Sequence, residues 1–139
     1  GDIDVCTIKP QTFMNLSGEA VAGFVNYYKV GTGDLLVMHD DLDIMLGKVK
    51  FAFSAGDGGH NGVSSITERL ATREFWQLKM GIGRPPEKID PADFVLGKFM
   101  KEEQSLAQKM IQTSTEAVYE FITAGPEKAM QKYHSLVLT

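Results

Sequence analysis

Short apolar runs alternate with stretches of helical periodicity along this chain, and this alternation constrains the fold more than any other feature. Bounded apolar runs are typical of strands, whereas apolar residues that recur every three or four positions are typical of helices. Strands are predicted at residues 3–8, 35–38, 49–53 and 75–82. Strands that alternate with helices predict an α/β fold of three layers, α/β/α, around a mixed and mostly parallel central sheet.

Each predicted helix has one apolar face. Ser17 is expected to cap the first helix, and residues 31–33, a Gly-Thr-Gly sequence, are expected to end it. Pro126 is expected to begin the last helix, because proline suits the first helical turn. The residues predicted to form the apolar faces are Val21, Phe24, Val25 and Tyr28, then Val63, Ile66 and Leu70, then Leu106, Met110, Val118 and Phe121, and finally Met130 and Tyr133.

The domain organisation is predicted to be simple. A chain of 139 residues fits one domain with a substantial core, and no repeat, low-complexity tract or interdomain linker divides it. Residues 1–139 are therefore predicted to form a single domain. Residues 85–99 contain three prolines and several charges, which predicts an irregular segment. The chain opens with Gly1 rather than methionine and enters a predicted strand almost at once, so we expect a fragment or a trimmed chain.

Composition excludes several classes of protein. No apolar stretch has the length needed to span a bilayer, and no N-terminal signal sequence is present. The single cysteine, Cys6, excludes an internal disulfide and a zinc site built from several thiolates, and we expect it to be a small apolar residue in a strand. A cytoplasmic location is expected. The net charge of −4 gives the whole molecule no electrostatic footprint of a nucleic-acid binder.

Three polar clusters, each beside an apolar run, indicate the parts of one active site. They occupy residues 13–18, 39–43 and 58–62. Ligands bind beyond the carboxyl ends of the strands in open α/β sheets, so polar side chains collected there favour chemistry over packing. Asp40 is expected just past a buried strand, where a carboxylate can orient and charge-stabilise a histidine. The alternative is that Asp40, Asp41 and Asp43 form a solvated turn or a helix cap.

The other two clusters carry amides. Asn15 precedes the first helix, where it is either an Asx-turn residue or an amide that hydrogen-bonds a substrate. The loop at residues 56–62 lacks the lysine of a P-loop and the last glycine of the dinucleotide fingerprint, so no nucleotide cofactor is expected. Its glycines are expected to set His60 and Asn61 at the rim of a site.

At these residues the chain resembles the bacterial-type peptidyl-tRNA hydrolase family. Five blocks carry the resemblance in the family's order and spacing, and the resemblance extends over essentially the whole chain. They are Lys9-Pro10-Gln11-Thr12-Phe13-Met14-Asn15-Leu16-Ser17-Gly18, His39-Asp40-Asp41-Leu42-Asp43, Gly58-Gly59-His60-Asn61-Gly62, Gly81-Ile82-Gly83-Arg84-Pro85 and Phe94-Val95-Leu96-Gly97-Lys98-Phe99. The resemblance implies hydrolysis of the ester between a peptide and tRNA, which recycles tRNA from aborted translation.

The resemblance also implies a role for each matching residue. Asp40 resembles the carboxylate that holds the family's catalytic histidine, and Asn15 and Asn61 resemble the amides that position the peptide and the attacked carbonyl. Met14 resembles an apolar contact near the substrate, and His60 resembles a residue that lines the same crevice. The segment around residues 85–94 resembles the family's lid beside the peptide groove, and Lys98 and Lys101 fall where the family meets tRNA phosphates. No metal or cofactor is implied.

The sequence departs from the family pattern in two ways. The catalytic histidine of the family lies in an N-terminal segment that is absent here, and none of the histidines at 39, 60 and 134 occupies its motif. We therefore expect the 139-residue chain to be a poor or inactive catalyst that can self-associate through an exposed strand edge, whereas a full-length protein is expected to be a monomer. Lys79 also stands where the family often has arginine, which loses a planar fork of donors.

Two further functions stay open at this point. A non-catalytic RNA-binding protein could use the same scaffold, although the polar set of Asp40, Asn15 and Asn61 favours the enzyme. A metal-dependent hydrolase could use Asp40, Asp43 and His60, with His39 as an additional ligand. The acidic cluster has neither the glycine position nor the closing glutamate of an EF-hand.

Overall fold

The computed structural model describes residues 3–11, 16–84 and 101–138, and for residues 101 and 102 it describes the backbone alone. Within these residues three strands form one sheet, and four α-helices and a short 3-10 helix accompany it. The strands are β1 (Leu36–Asp41), β2 (Val49–Phe53) and β3 (Trp76–Gly81), and the helices are α1 (Ser17–Tyr28), α2 (Asn61–Leu70), α3 (Lys101–Ala124) and α4 (Pro126–Tyr133), with the 3-10 helix at Thr32–Asp34. The α/β prediction is confirmed.

The strand order in the sheet is β1-β3-β2, so β3 is the strand that bonds to both others. The amide of Trp76 donates to the carbonyl of Leu35, and the amide of Ile82 donates to the carbonyl of Asp41. Both partners advance together along the chain, which makes β1 and β3 parallel.

Strand β2 runs the other way. The amide of Ser54 donates to the carbonyl of Phe75, and the amide of Gly81 donates to the carbonyl of Lys48. One partner advances while the other recedes, so β2 and β3 are antiparallel. The predicted mixed sheet is confirmed, and the described strands form one parallel and one antiparallel pair rather than a parallel majority.

The chain divides into two compact units, which are described separately. The first contains Gly1–Val37 and Ala52–Gln77, and the second contains Met38–Phe51 and Leu78–Thr139. The first unit has its core where α1 packs on α2. Its buried residues are Val21, Val25, Val63, Ile66 and Phe75, with Leu35, Val37 and Leu70 packed against them. Burial of each such large side chain stabilises a fold by about 1.5–3 kcal/mol, so the predicted apolar spacing in α1 and α2 is what joins them.

Helices α1 and α2 approach each other closely at Gly18. The amide of Gly18 donates to Ser65 Oγ at 2.8 Å, and this contact is buried. A Cβ atom on Gly18 would lie 2.1 Å from the carbonyl oxygen of Ser65 and 2.7 Å from Arg69 Cγ. Because the first amides of a helix have no partner within the helix, Ser65 satisfies a donor that would otherwise be buried unpaired. Glycine at this position allows the contact.

The second unit has its core around β2, α3 and α4. Val49 and Phe51 are buried on one face of β2, and the ring of Phe51 stacks on that of Phe121 with centroids 5.2 Å apart. Met110 and Tyr133 are also buried, as their helical spacing predicted. Pro126 occupies the first turn of α4, also as predicted.

His134 joins α4 to β2 in the second unit. Its Nε2 atom accepts a hydrogen bond from the amide of Phe51 at 2.9 Å. A protonated ring nitrogen cannot accept, so this contact requires a neutral ring. Burial lowers the pKa of His134 from its ordinary 6.5, and the positive charges of Lys50 and Lys48 lower this pKa further.

Three predictions near the N-terminus are wrong. Residues 3–8 form no strand and are mostly exposed, Cys6 among them. A strand needs a hydrogen-bonded neighbour, and none of the three strands of the described sheet pairs with this segment. Ser17 does not cap α1, because Leu16 takes the cap position without a side-chain bond and Ser17 is buried in the first turn. The helix ends at Tyr28 with Lys29 in the left-handed region, before the predicted Gly-Thr-Gly sequence.

We predict opposite effects for alanine at two glycines of α1. Gly18→Ala should lower the free energy of unfolding by about 1–3 kcal/mol, because the new methyl group overpacks the contact with α2. Gly23→Ala is the matched control, since a Cβ there would meet nothing within 4 Å. It should raise the free energy of unfolding by about 0.5–1 kcal/mol through helix propensity. Urea unfolding measures both, and equal stability of the two variants would contradict the predicted contact.

We predict that His134 makes stability fall in acid. The folded pKa lies below 6.5, so the unfolded chain takes up a proton first as the pH falls through 6.5. This contribution to stability is complete above 6.5 and is lost below it. His134→Gln keeps an acceptor for Phe51 without a titrating ring. When the pH is lowered from well above 6.5 to well below it, the free energy of unfolding of this variant should fall less than that of wild type. Urea unfolding at both pH values measures the two losses. Parallel losses in the two proteins would show that His134 is not responsible.

Candidate active site

Asp40 lies inside β1 and is half-buried. The sequence placed it just past the strand, which is wrong, because β1 continues to Asp41. The strand continues because Ile82 extends the pairing with β3 to Asp41. Beside it, His39 is 7% exposed, and its Nδ1 donates to the backbone carbonyl of Asp40 at 2.8 Å. Side chains of consecutive strand residues face opposite sides of a sheet. His39 therefore hydrogen-bonds the backbone of Asp40 from the face of the sheet opposite to the Asp40 side chain.

The two following aspartates stabilise a turn. Asp41 Oδ1 accepts from the amide of Asp43 at 2.7 Å, and Asp43 pairs with Arg84. Both charges of that pair are largely exposed, so the pair contributes little to stability. The alternative of a solvated turn therefore holds for Asp41 and Asp43, whereas Asp40 belongs to the strand.

This turn rests on the end of β3 in the second unit. The amide of Gly83 donates to the carbonyl of Ile44 at 2.9 Å. A Cβ atom on Gly81 would lie 2.1 Å from the carbonyl oxygen of Met45. The Gly-Ile-Gly sequence at residues 81–83 thus lets the backbone that follows Asp40 lie directly on β3.

The glycine-rich loop of the first unit forms a tight turn before α2. Gly58 and Gly59 have φ values of 57° and 82°, which glycine adopts without strain. Asp57 Oδ1 accepts from the amide of Gly59 at 2.9 Å, and the carbonyl of Asp57 accepts from the amide of His60 at 2.9 Å. A Cβ on either glycine would meet nothing within 4 Å, so conformation rather than space requires glycine there.

His60 caps helix α2. Its Nδ1 accepts from the amides of Gly62 at 3.1 Å and Val63 at 3.2 Å. These are two of the unpaired amides at a helix start, and an accepting Nδ1 carries no proton. Asn61 follows as the first residue of α2 and is exposed, so its amide is open to a ligand.

The model of the peptidyl-tRNA hydrolase family matches residues 1–138. This chain belongs to the peptidyl-tRNA hydrolase family. A peptidyl-tRNA hydrolase of Sulfurihydrogenibium sp. (strain YO3AOP1) is 44% identical over 129 residues, which are 93% of this chain and 68% of that protein. The chloroplastic peptidyl-tRNA hydrolase of Arabidopsis thaliana is 45% identical over 93% of this chain and 45% of its own length.

A solved structure agrees with this membership. The crystal structure of peptidyl-tRNA hydrolase from Acinetobacter baumannii matches with a TM-score of 0.85 at 32% identity, over 92% of this chain and 65% of that one. The chain therefore spans about two thirds of these bacterial relatives and less than half of the chloroplastic one. The resemblance recognised in the five sequence blocks is confirmed.

Several residues that the family resemblance singled out are not part of the described structure. Met14, Asn15 and Lys98 lie outside the described residues, as does the predicted irregular segment at residues 85–99. Lys101 is the first residue of α3. The binding roles assigned to these residues stay predictions. Asp40 belongs to the second unit, and His60 and Asn61 belong to the first.

The described residues give no support to the metal-dependent alternative. Among them, no group of three or more histidines, cysteines, aspartates or glutamates could hold a metal ion, and Asp40, Asp43 and His60 are all described. In the same part of the chain, no helix combines the length and apolar character that a membrane span requires.

Sequence reasoning missed Gln77. This side chain is fully buried in β3, and its Nε2 donates to the carbonyls of Ala55 at 3.2 Å and Gly56 at 3.3 Å. Its signal was available, because Gln77 shares the strand face of Phe75 by the two-residue period of strands. A polar residue on a face expected to be buried needs hydrogen-bond partners, and here they belong to the glycine-rich loop.

We predict that the cap on α2 can be removed and restored at one position. His60→Ala should lower the free energy of unfolding by about 1 kcal/mol, because two amides lose their acceptor. His60→Asn should recover most of that loss, since asparagine is a favoured cap residue. Ser64→Ala is the control, an exposed position one turn further along α2. If thermal unfolding ranks alanine and asparagine at residue 60 equally, the capping role is wrong.

Proposed function

We propose that the protein hydrolyses the ester that joins a peptide, or an N-blocked aminoacyl group, to tRNA, and so recycles tRNA from aborted translation. The observation that carries this proposal is the family match over residues 1–138 in a chain that keeps Asp40, Asn15 and Asn61. Asp40 is half-buried, which suits a carboxylate that orients another side chain, and Asn61 is exposed, which suits an amide that binds a substrate.

The proposed chemistry is general-base hydrolysis without a metal. A histidine takes a proton from water, the water attacks the ester carbonyl, and the ribose oxygen of tRNA leaves with a proton. Asp40 holds this histidine in the correct orientation and stabilises its positive charge. The amides of Asn15 and Asn61 hold the peptide and the oxyanion, Met14 makes an apolar contact, and His60 lines the same crevice. Each oxyanion donor contributes about 10²–10³-fold to the rate.

None of the histidines at 39, 60 and 134 occupies the family's histidine motif, and His39 is only 7% exposed. Nδ1 of His39 donates to the carbonyl of Asp40, Nδ1 of His60 accepts from α2, and Nε2 of His134 accepts from Phe51. We therefore propose that the general base comes from the N-terminal segment of the family pattern. General-base help is worth about 10²–10⁴-fold, so the 139 residues tested alone are expected to be a poor catalyst.

Further parts of the proposal concern partners and organisation. Lys98 and Lys101 contact tRNA phosphates, which lysine binds as a point charge. Residues 1–139 are proposed to form a single domain. The protein works as a monomer in the cytoplasm, where its substrate arises.

We predict that Asp40 is required for turnover once a general base is supplied. A fusion that adds the N-terminal remainder of the Sulfurihydrogenibium relative should release N-acetyl amino acid from its tRNA ester. Asp40→Asn in that fusion should reduce kcat by about 10²-fold or more, because the base loses its orienting charge. KM should change little.

The matched control is Asp34→Asn, an exposed aspartate in the 3-10 helix, and it should keep full activity. An Asp40→Asn fusion as active as the control would contradict the proposed role of Asp40. A fusion that binds tRNA tightly without any release of amino acid would instead favour the non-catalytic RNA-binding function.

A further inference from the structure

Gln77 is the buried polar side chain in β3 that hydrogen-bonds the loop before α2. It is fully buried, and a buried amide without partners destabilises a fold by about 1–3 kcal/mol. Both of its described hydrogen bonds are donated to successive backbone carbonyls, at Ala55 and Gly56. The side chain thus satisfies its own donors and two acceptors of the loop in one contact.

The contact lies midway along the segment that leads from β2 to α2. The segment is held to β3 at its start, where the amide of Ser54 donates to the carbonyl of Phe75. It is closed at its end by the turn at Asp57, which bonds the amides of Gly59 and His60. Gln77 supplies the attachment between these two points. Without it, the backbone at residues 55 and 56 loses its described hydrogen bonds to β3.

The loop sets the direction in which α2 begins. Its last residues form the turn that brings His60 onto the amides of Gly62 and Val63, and Asn61 is the next residue along the chain. Asn61 is exposed, so its placement depends on the backbone rather than on packing of its own side chain. A loop free to shift would move His60 and Asn61 together.

We propose that Gln77 is a positioning residue for Asn61. It touches no substrate, but it fixes the loop that presents the Asn61 amide to the peptide-tRNA ester. This inference rests on the proposed function. A rigid loop raises affinity because the ligand does not have to order it on binding.

The test separates positioning from stability. Gln77→Met replaces the amide by an apolar side chain of similar length, so the volume is kept while the carbonyls of Ala55 and Gly56 lose their donor. Gln77→Glu keeps the shape but removes both N–H donors, and it serves if the methionine variant does not fold. Leu78→Met is the control, because Leu78 is the next residue of β3 and is also fully buried.

Two measurements are made on the 139-residue chain by NMR. The first is the Kd for an N-acetyl-aminoacyl adenosine in which an amide replaces the ester, and the second is hydrogen exchange of the amides of Gly59, His60 and Gly62. Gln77→Met should weaken binding about tenfold, which corresponds to the loss of one hydrogen bond between Asn61 and the analogue. It should also speed exchange at these amides. Leu78→Met should do neither, and Asn61→Ala should weaken binding without faster exchange.

Each alternative outcome overturns a different statement. Wild-type exchange and wild-type Kd in Gln77→Met would overturn the positioning role altogether. Faster exchange with unchanged Kd would show that Gln77 only stabilises the loop, which also overturns it. No binding of the analogue by the wild-type chain, together with none by an N-terminally completed protein, would overturn the proposed function itself, whatever the exchange data show about the loop.

Discussion

The backbone hydrogen bonds of β3 are the interaction on which the rest of this structure depends. β3 is the middle strand of the described sheet, so it pairs with β1 on one side and with β2 on the other. Two of its residues, and the residue just before it, make separate contacts. Phe75, just before it, is buried in the core of the first unit, Gln77 holds the loop before α2, and Gly81 lies against the turn that follows β1. Within the first unit Gln77 therefore supports the loop that leads to Asn61, and within the second unit Gly81 supports the turn that follows Asp40.

The histidines illustrate how a residue type that attracts functional hypotheses can be occupied by structure. A ring nitrogen that accepts from a backbone amide is unprotonated and cannot act as a base without giving up that bond. This applies to Nδ1 of His60 and to Nε2 of His134. His39 donates rather than accepts, and its bond fixes the backbone of Asp40. The accepting nitrogens of His60 and His134 therefore have a structural role.

Sequence alone predicted those features that depend on local periodicity. The apolar spacing at Val63 and Ile66 predicted α2, and the run at residues 75–82 predicted β3, because burial of one face is encoded every few residues. The family was likewise readable, since its five blocks survive in order. Predictions failed where the answer depends on distant partners. The segment at residues 3–8 has strand composition but no strand to pair with, and Ser17 is buried in the first turn of α1 rather than capping it. The position of Gln77 on a buried strand face was readable from the sequence, but its two carbonyl partners, more than twenty residues away in the chain, were not.

Because of the close approach at Gly18, the two sides of helix α1 differ in the substitutions that they tolerate. On the side that meets α2, a single added carbon at Gly18 would collide with the backbone at Ser65. A substitution there therefore requires a compensating change in α2. On the other side, Gly23, Asn26 and Tyr27 face solvent, and substitutions can accumulate one at a time. Among descendants of this sequence, variation along α1 should therefore follow the 3.6-residue period of the helix, and the invariant stripe would trace the seam with α2.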